Sequence, residues 1–169
     1  MTQSVSQPGD TEILIRLAEP IDAAIISELL EASFAEYQEL YTIAGYRATV
    51  ISDEEVIDRI KEGPVWVALL NETIVATVSV VDKGTSLYIR GMAVQPSARG
   101  HHIGELLLKR IEQFAISEAF ERMFLSTTPF LKRAIRLYES FGFERAGEAP
   151  HDLHGTPLFT MQKLLTLES

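Results

Sequence analysis

The chain has 169 residues, 15 Lys plus Arg against 24 Asp plus Glu, and a formal net charge of −9, a balance that argues against general nucleic-acid binding. Hydrophobic residues make up 46% and charged residues 23%, the proportions of an ordinary globular protein, and a chain of this length buries roughly 70% of its unfolded surface as a single domain. There is no Cys, which excludes a disulfide framework, a thiolate nucleophile and Cys-ligated metal centres.

Residues 1–11 lack apolar periodicity and end near Pro8-Gly9-Asp10, so they read as a polar tail ahead of a single domain over 12–169. They also lack the basic flank and apolar stretch of a signal peptide. No later run approaches the roughly 18 apolar residues of a membrane span, and a soluble, cytoplasmic protein is expected. Glu12 to Leu17 alternates as a short strand. Pro20 then opens a helix whose buried stripe is expected to comprise Ile21, Ile25, Ile26, Leu29, Leu30 and Phe34. Ser52-Asp53-Glu54-Glu55 has the capping-box pattern, and Val56 and Ile60 give the following helix an inner face before Gly63-Pro64 stops it.

Val65 to Leu70, Thr73 to Val81 and Leu87 to Val94 are β-branched and apolar runs separated by turn residues, which predicts a three-stranded meander. From Ile103 the period changes: Ile103, Leu106, Leu107, Ile111, Phe114 and Ala115 form one face of a helix to about Ala119. Met123 to Ser126 reads as a strand. Thr128-Pro129 reads as an N-cap with Pro at the first position of a helix that Gly142 ends, and Phe143 to Ala149 and Leu158 to Leu165 as antiparallel strands closing across 151–157. The fold class expected is α/β (α+β), a mixed, mostly antiparallel sheet with helices on both faces.

One segment carries chemistry. The strand ending at Val94 runs through Gln95-Pro96-Ser97-Ala98 into Arg99-Gly100-His101-His102-Ile103-Gly104 and directly into the long helix. The first N–H groups of a helix have no internal partner and its dipole is positive there, so such a loop can hold a phosphate or diphosphate through backbone alone. It is neither a P-loop, lacking Gly-Lys-Ser/Thr, nor the dinucleotide fingerprint, whose glycine spacing differs. A plain glycine-containing strand-to-helix turn is the competing reading.

The stretch from Met92 to Gly104 resembles the acetyl-CoA signature of the GCN5-related N-acetyltransferase (GNAT) superfamily, Gln/Arg-x-x-Gly-x-Gly/Ala, opening at Arg99. His102 stands where that signature has its first glycine. A second block, Ala134 to Phe143, is similar to the family's Leu-Tyr-x-x-x-Gly-Phe helix and following strand, and the resemblance spans about Ile13 to Leu165. It implies acetyl-CoA as acyl donor, held by Met92, Ala93 and Val94 of the strand and by Arg99, Gly100, His101, His102, Ile103 and Gly104 of the loop. Gly91 suits a strand bulge. A family asparagine position falls on Leu131, so one polar contact is absent, with Thr127 or Thr128 as candidates to replace it.

The resemblance also implies Tyr138 as the proton donor to the departing thiolate. By spacing alone, Tyr138 reads equally as a core aromatic beside Leu137 and Phe141. Glu36, Tyr37 and Tyr41 lie in the stretch that lines the acceptor side in this family, although a solvated helix face explains Glu36 as well and a core patch explains the tyrosines. His101-His102 and His151-x-x-His154 lack a carboxylate at ligand spacing, and no metal is expected. The expected partner is an amine acceptor (a small molecule, an amino acid or a protein N-terminus), with neither nucleic acid nor membrane; a homodimer is the ordinary prior. The competing function is a non-catalytic acyl-CoA sensor.

Overall fold

The computed structural model describes residues 12–166; the tail expected over 1–11 lies outside them. Strand β1 (Ile13–Leu17) leads through a 3-10 turn (Pro20–Asp22) into α1 (Ala23–Phe34). A second 3-10 turn (Ala35–Leu40), α2 (Ile43–Thr49) and α3 (Asp53–Glu62) follow. The meander comprises β2 (Val65–Leu70), β3 (Thr73–Lys83) and β4 (Ser86–Val94). Helix α4 (Ile103–Ser117), β5 (Arg122–Thr127), α5 (Lys132–Ser140) and the short β6 (Glu144–Arg145), β7 (His151–Leu153) and β8 (Thr156–Leu164) complete the order.

The strands form one sheet in the order β1-β2-β3-β4-β5-β8-β6, with β7 against β8. Every pairing is antiparallel except β4 with β5, which run parallel only from Ser86 opposite Arg122 to Tyr88 opposite Phe124. Beyond Tyr88 the two strands part, opening the middle of the sheet. On one face Ile103, Leu107, Leu108, Ile111 and Ala115 of α4 pack with Tyr138 of α5 onto Trp66, Ala76, Leu87, Ile89, Met123 and Leu125. On the other, Ala23, Ile26, Leu29 and Leu30 of α1 and Val56 of α3 cover Val65, Val67 and Ala93. Strand β2 is covered on both sides, which explains its unbroken apolar run.

Three expectations are corrected. Ile21 and Ile25 are 83% and 47% exposed, not part of a buried stripe. The 3-10 turn advances the chain about 120° per residue rather than 100°, so α1 enters with a shifted phase and buries Ala23, Ile26, Leu29, Leu30 and Ser33. Asp22 is buried at that junction and held by Arg16 through two bonds of 2.8 and 3.1 Å and by the Glu19 N–H at 2.7 Å. The Arg16 bonds, foremost, keep its carboxyl below the ordinary Asp range against the opposing effect of burial.

Thr128 does not cap α5. Thr128-Pro129-Phe130 forms a turn, with the Leu131 N–H on the Thr128 carbonyl, and α5 begins at Lys132. Phe130 is drawn onto Tyr41, ring centroids 4.9 Å apart, and this tertiary contact overrides the local capping signal. The strand expected over Phe143 to Ala149 shrinks to two residues. The 151–157 loop is itself a tight hairpin, His151–Leu153 against Thr156–Leu158, turning at His154 and Gly155, both with positive φ.

Candidate active site

The end of β4 beyond its pairing with β5, the N-terminus of α4 and α5 enclose a cleft of about 310 Å³. Three stretches supply its walls: Met92, Ala93 and Val94 of β4, the loop and first turn of α4 from Ala98 to Glu105, and Leu131, Arg133, Ala134, Leu137 and Tyr138 around α5. Ser33, Phe34 and Tyr37 close it from α1 and the turn that follows.

The β4 wall is irregular for a reason written in the sequence. Thr77 pairs with Ala93 and Ser79 with Arg90, so Gly91 and Met92 together face Val78 in a bulge. Gly91 has φ +65, a left-handed conformation that glycine adopts without strain. The bulge breaks the β3–β4 ladder at the point where β4 borders the cleft.

In the loop, the Arg99 N–H donates to the Pro96 carbonyl at 3.3 Å, and the first helical bond of α4 runs from Leu106 N–H to His102 O at 3.2 Å. Between them, the N–H groups of Gly100, His101, His102, Ile103, Gly104 and Glu105 donate to no acceptor among the described residues. They form the positive end of a 15-residue helix. Gly100 (φ +93) has no neighbouring atom within 4 Å of where a Cβ would stand, so it is required by conformation. Gly104 is required by packing, since a Cβ there would stand 2.7 Å from Leu137 Cδ2, where α4 and α5 touch. His102 sits at φ 58, ψ 26, the left-handed region, which supplies the physical reason a glycine suits this position.

Side chains divide differently from backbone. Arg99 lines the cleft and its guanidinium pairs with Glu36 at 2.5 Å, joining the loop to the turn after α1. Glu36 itself is not among the cleft-lining residues, nor is His101, which is exposed. Tyr37 lines the cleft. Tyr41 is 8% exposed behind it, edge-on to Phe34 and Tyr46 as well as Phe130, and burial raises its pKa to about 12. Leu131 borders the cleft, whereas the Thr127 and Thr128 hydroxyls are buried without a hydrogen-bond partner among the described residues.

Tyr138 is also 8% exposed, its ring packed at 5.9 Å from Phe143 and bordering the cleft. Its hydroxyl has no partner among the described residues, and burial, reinforced by Tyr41, pushes its pKa well above that of an ordinary phenol. It is therefore protonated at physiological pH.

Two cleft residues escape sequence reading. Ser33 brings an orphaned, buried hydroxyl to the cleft and falls within an ordinary helical stripe, so nothing marks it. Arg133 has a signal: Lys132 and Arg133 occupy the first turn of α5, the wrong end of the helix dipole for cations, and such placement points to an anion nearby. Among the described residues no group of three His, Cys, Asp or Glu side chains is arranged to hold a metal ion, and no helix is long and apolar enough to cross a membrane.

The comparisons agree with this architecture. Residues 26–143 match the model of the acetyltransferase (GNAT) family. The N-acetylaspartate synthetase of Danio rerio is 34% identical over 85 residues, 49% of this chain and 30% of that one, so the match spans about a third of the curated relative's length. The PaiA N-acetyltransferase of Thermoplasma acidophilum, crystallised with coenzyme A, superposes with a TM-score of 0.79 at 16% identity, covering 91% of this chain and 99% of that one. YncA of Salmonella typhimurium, with its cofactor acetyl-CoA, gives 0.71 at 21% identity over 93% and 96%. At such identities these likenesses establish the fold, while the family match extends from α1 through the cleft to the strand after Tyr138, and on it the chain belongs to the GNAT acetyltransferase family.

Proposed function

We propose that the chain is an acetyl-CoA-dependent N-acetyltransferase that transfers the acetyl group directly to a primary amine within a ternary complex. The observation that carries the reading is the row of uncommitted N–H groups from Gly100 to Glu105, in the same cleft as the β4 bulge and the Tyr138 hydroxyl. A helix N-terminus with bare amides and a flanking Arg133 fits a diphosphate, and the narrow apolar walls at Met92, Val94, Ala134 and Leu137 fit a pantetheine arm.

Acetyl-CoA, when bound, supplies an activated acyl group on a thioester. The amides of the loop hold its diphosphate, with Arg99 kept over the cleft by Glu36. The interrupted ladder at Gly91-Met92 offers backbone N–H to polarise a carbonyl. Tyr138 holds its proton at Oη beside the cleft for a departing thiolate. From a phenol at its reference pKa of about 10 to a thiol at about 8.5 that transfer is uphill by about 2 kcal/mol in water, and the buried phenol adds to the deficit while burial of the thiolate offsets it. Tyr37 lines the acceptor side of the cleft, and the buried Tyr41 backs it. The Danio rerio relative is named for an N-acetylated amino acid, which supports an amino-acid or small-amine acceptor. A compartment supplying acetyl-CoA, the cytoplasm, follows from this reading.

The test is release of free thiol from acetyl-CoA across an amine panel, with Tyr138→Phe as control. Turnover on at least one amine, lost in the variant, supports the proposal. Tight coenzyme A binding with no turnover on any amine overturns it in favour of an acyl-CoA sensor.

A further inference from the structure

On the face of the sheet opposite α4, an arginine of α3 reaches the β4 bulge. An atom at the Cβ position of Gly91 would lie 2.5 Å from Arg59 Nη1 and 3.8 Å from Ser79 Oγ, so the missing side chain of Gly91 is the space the guanidinium fills. Arg59 donates no side-chain hydrogen bond and forms no ion pair among the described residues. Beside it stands Arg90, whose Nε is buried without a partner while its Nη2 pairs with Glu62. Burial and the neighbouring Arg90 lower the Arg59 pKa to about 10, which still leaves it charged at neutral pH. The remaining nearby acid, Glu55, is engaged in capping α3 through Ser52.

With Glu62 paired to Arg90 and Glu55 engaged by Ser52, the half-buried Arg59 guanidinium stands without a side-chain partner among the described residues, a donor fork open to an anion. The diphosphate assigned above to the start of α4 does not supply that anion, because α4 packs on the other face of the sheet, with Ile103 against Leu87 and Ile89. On the Arg59 face, Tyr88 and Phe124 stack at 5.0 Å to form an aromatic floor, bordered by the Ser126 hydroxyl, 3.0 Å from His151 Nε2. Helix α1 covers this same face beside α3, and Ser33 and Phe34 of α1 line the cleft, so this face borders the cleft although neither Arg59 nor Arg90 lines it.

Resting on the acetyltransferase reading above, we infer that Arg59 and Arg90 form a receptor for a carboxylate carried by the acceptor amine. The acceptor class is thereby an amino acid rather than a simple alkylamine or a peptide N-terminus. A planar carboxylate matches the donor fork of a guanidinium in geometry and in sign. Glu62, 53% exposed on its partner's side, already shows that Arg90 accepts a carboxylate.

The experiment compares each amino acid with the amine made by removing its carboxylate, L-phenylalanine with phenethylamine and L-lysine with cadaverine, using the full chain and acetyl-CoA. The expected result is a preference for the amino acid of about 30- to 100-fold in kcat/KM, largely erased in Arg59→Gln and reduced in Arg90→Gln, with coenzyme A affinity in the variants reporting that they are folded. Equal use of both members of each pair, or an equal loss on both in Arg59→Gln, overturns the inference. A second readout needs no turnover: succinate is expected to raise the Tm of the wild-type protein and leave that of Arg59→Gln unchanged. Failure of all amines to be acetylated while succinate still discriminates the two proteins would remove the enzymatic reading and keep the carboxylate site; absence of a succinate shift in the wild type would remove the site.

Discussion

The two sides of the cleft are built by different rules. The cofactor side is assembled from contiguous sequence: β4, its bulge at Gly91, the loop from Gln95 to His102 and the first turn of α4 lie within twenty residues and expose backbone groups by local geometry. Next to Tyr37, on the side proposed for the acceptor, α2 docks on the β7–β8 hairpin without itself lining the cleft and joins segments more than a hundred positions apart. Thr42, which caps α2, donates through Oγ1 to the His154 carbonyl at 2.8 Å, and its N–H donates to Thr156 Oγ1 at 3.0 Å. Gly45 permits that approach, since a Cβ there would stand 2.3 Å from Thr156 Oγ1 and 2.8 Å from the Leu153 carbonyl. A side built from backbone is insensitive to most side-chain substitutions, whereas a side built from docked loops changes with each contact.

The widest separation between the two is expected from Tyr138→Phe. It should lower kcat by about 10²- to 10⁴-fold while coenzyme A affinity, measured by calorimetry, changes little. A drop in affinity of the same size would make Tyr138 a packing residue. The pH profile sharpens this assignment. Because the folded phenol's pKa is raised, the protonated acid persists as pH increases, while the acceptor, with a pKa near 10 for an alkylamine, becomes nucleophilic only on losing its proton. For an alkylamine acceptor, log kcat/KM should therefore climb through pH 7 to 9 with no descending limb; a fall beginning below pH 9 would mean that a different group donates the proton.

Gly45→Ala should act on the other side. Forcing a Cβ against the Leu153 carbonyl is expected to cost about 1 to 3 kcal/mol in denaturant unfolding and to raise KM for the amine more than KM for acetyl-CoA. Equal effects on both constants would deny the independence of the two sides. A smaller gain is expected from His102→Gly, which relieves a left-handed residue and should stabilise the protein by up to about 1 kcal/mol, read as a shift in the denaturation midpoint. Smallest is Glu36→Gln, which cuts the partly exposed ion pair to Arg99 between the two sides; about 0.2 to 1 kcal/mol is at stake, visible as a faster release of coenzyme A that high salt mimics in the wild type.

The same division explains what could be read beforehand. The capping box at Ser52 and Glu55 forms as expected, with Ser52 Oγ accepting from the Glu55 N–H at 3.3 Å, because both partners belong to one helical turn. The stripe of α4 is equally local in origin, except that Leu106 is 37% exposed and Leu108 is buried in its stead, and so is the meander. By contrast α2 leaves little mark in the sequence, since a seven-residue helix carries too little periodicity, although Thr42 ahead of Gly45 is a legible cap. Ile21 and Ile25 fit the stripe of a continuous helix, but the chain makes a 3-10 turn around the buried Asp22 and leaves them exposed.

Sequence by itself determined the order and type of the main elements, the strand–loop–helix whose amides stand unpaired, and the family signature at Arg99 to Gly104, all products of interactions within a few residues. Tertiary structure alone decided that Phe130 turns toward Tyr41, that Arg99 meets Glu36, and that Arg59 fills the place of a side chain Gly91 does not have. These depend on packing between distant elements, where a side chain's partner is fixed by the shape of the whole sheet and its two helical layers, and no local pattern in the chain encodes that shape.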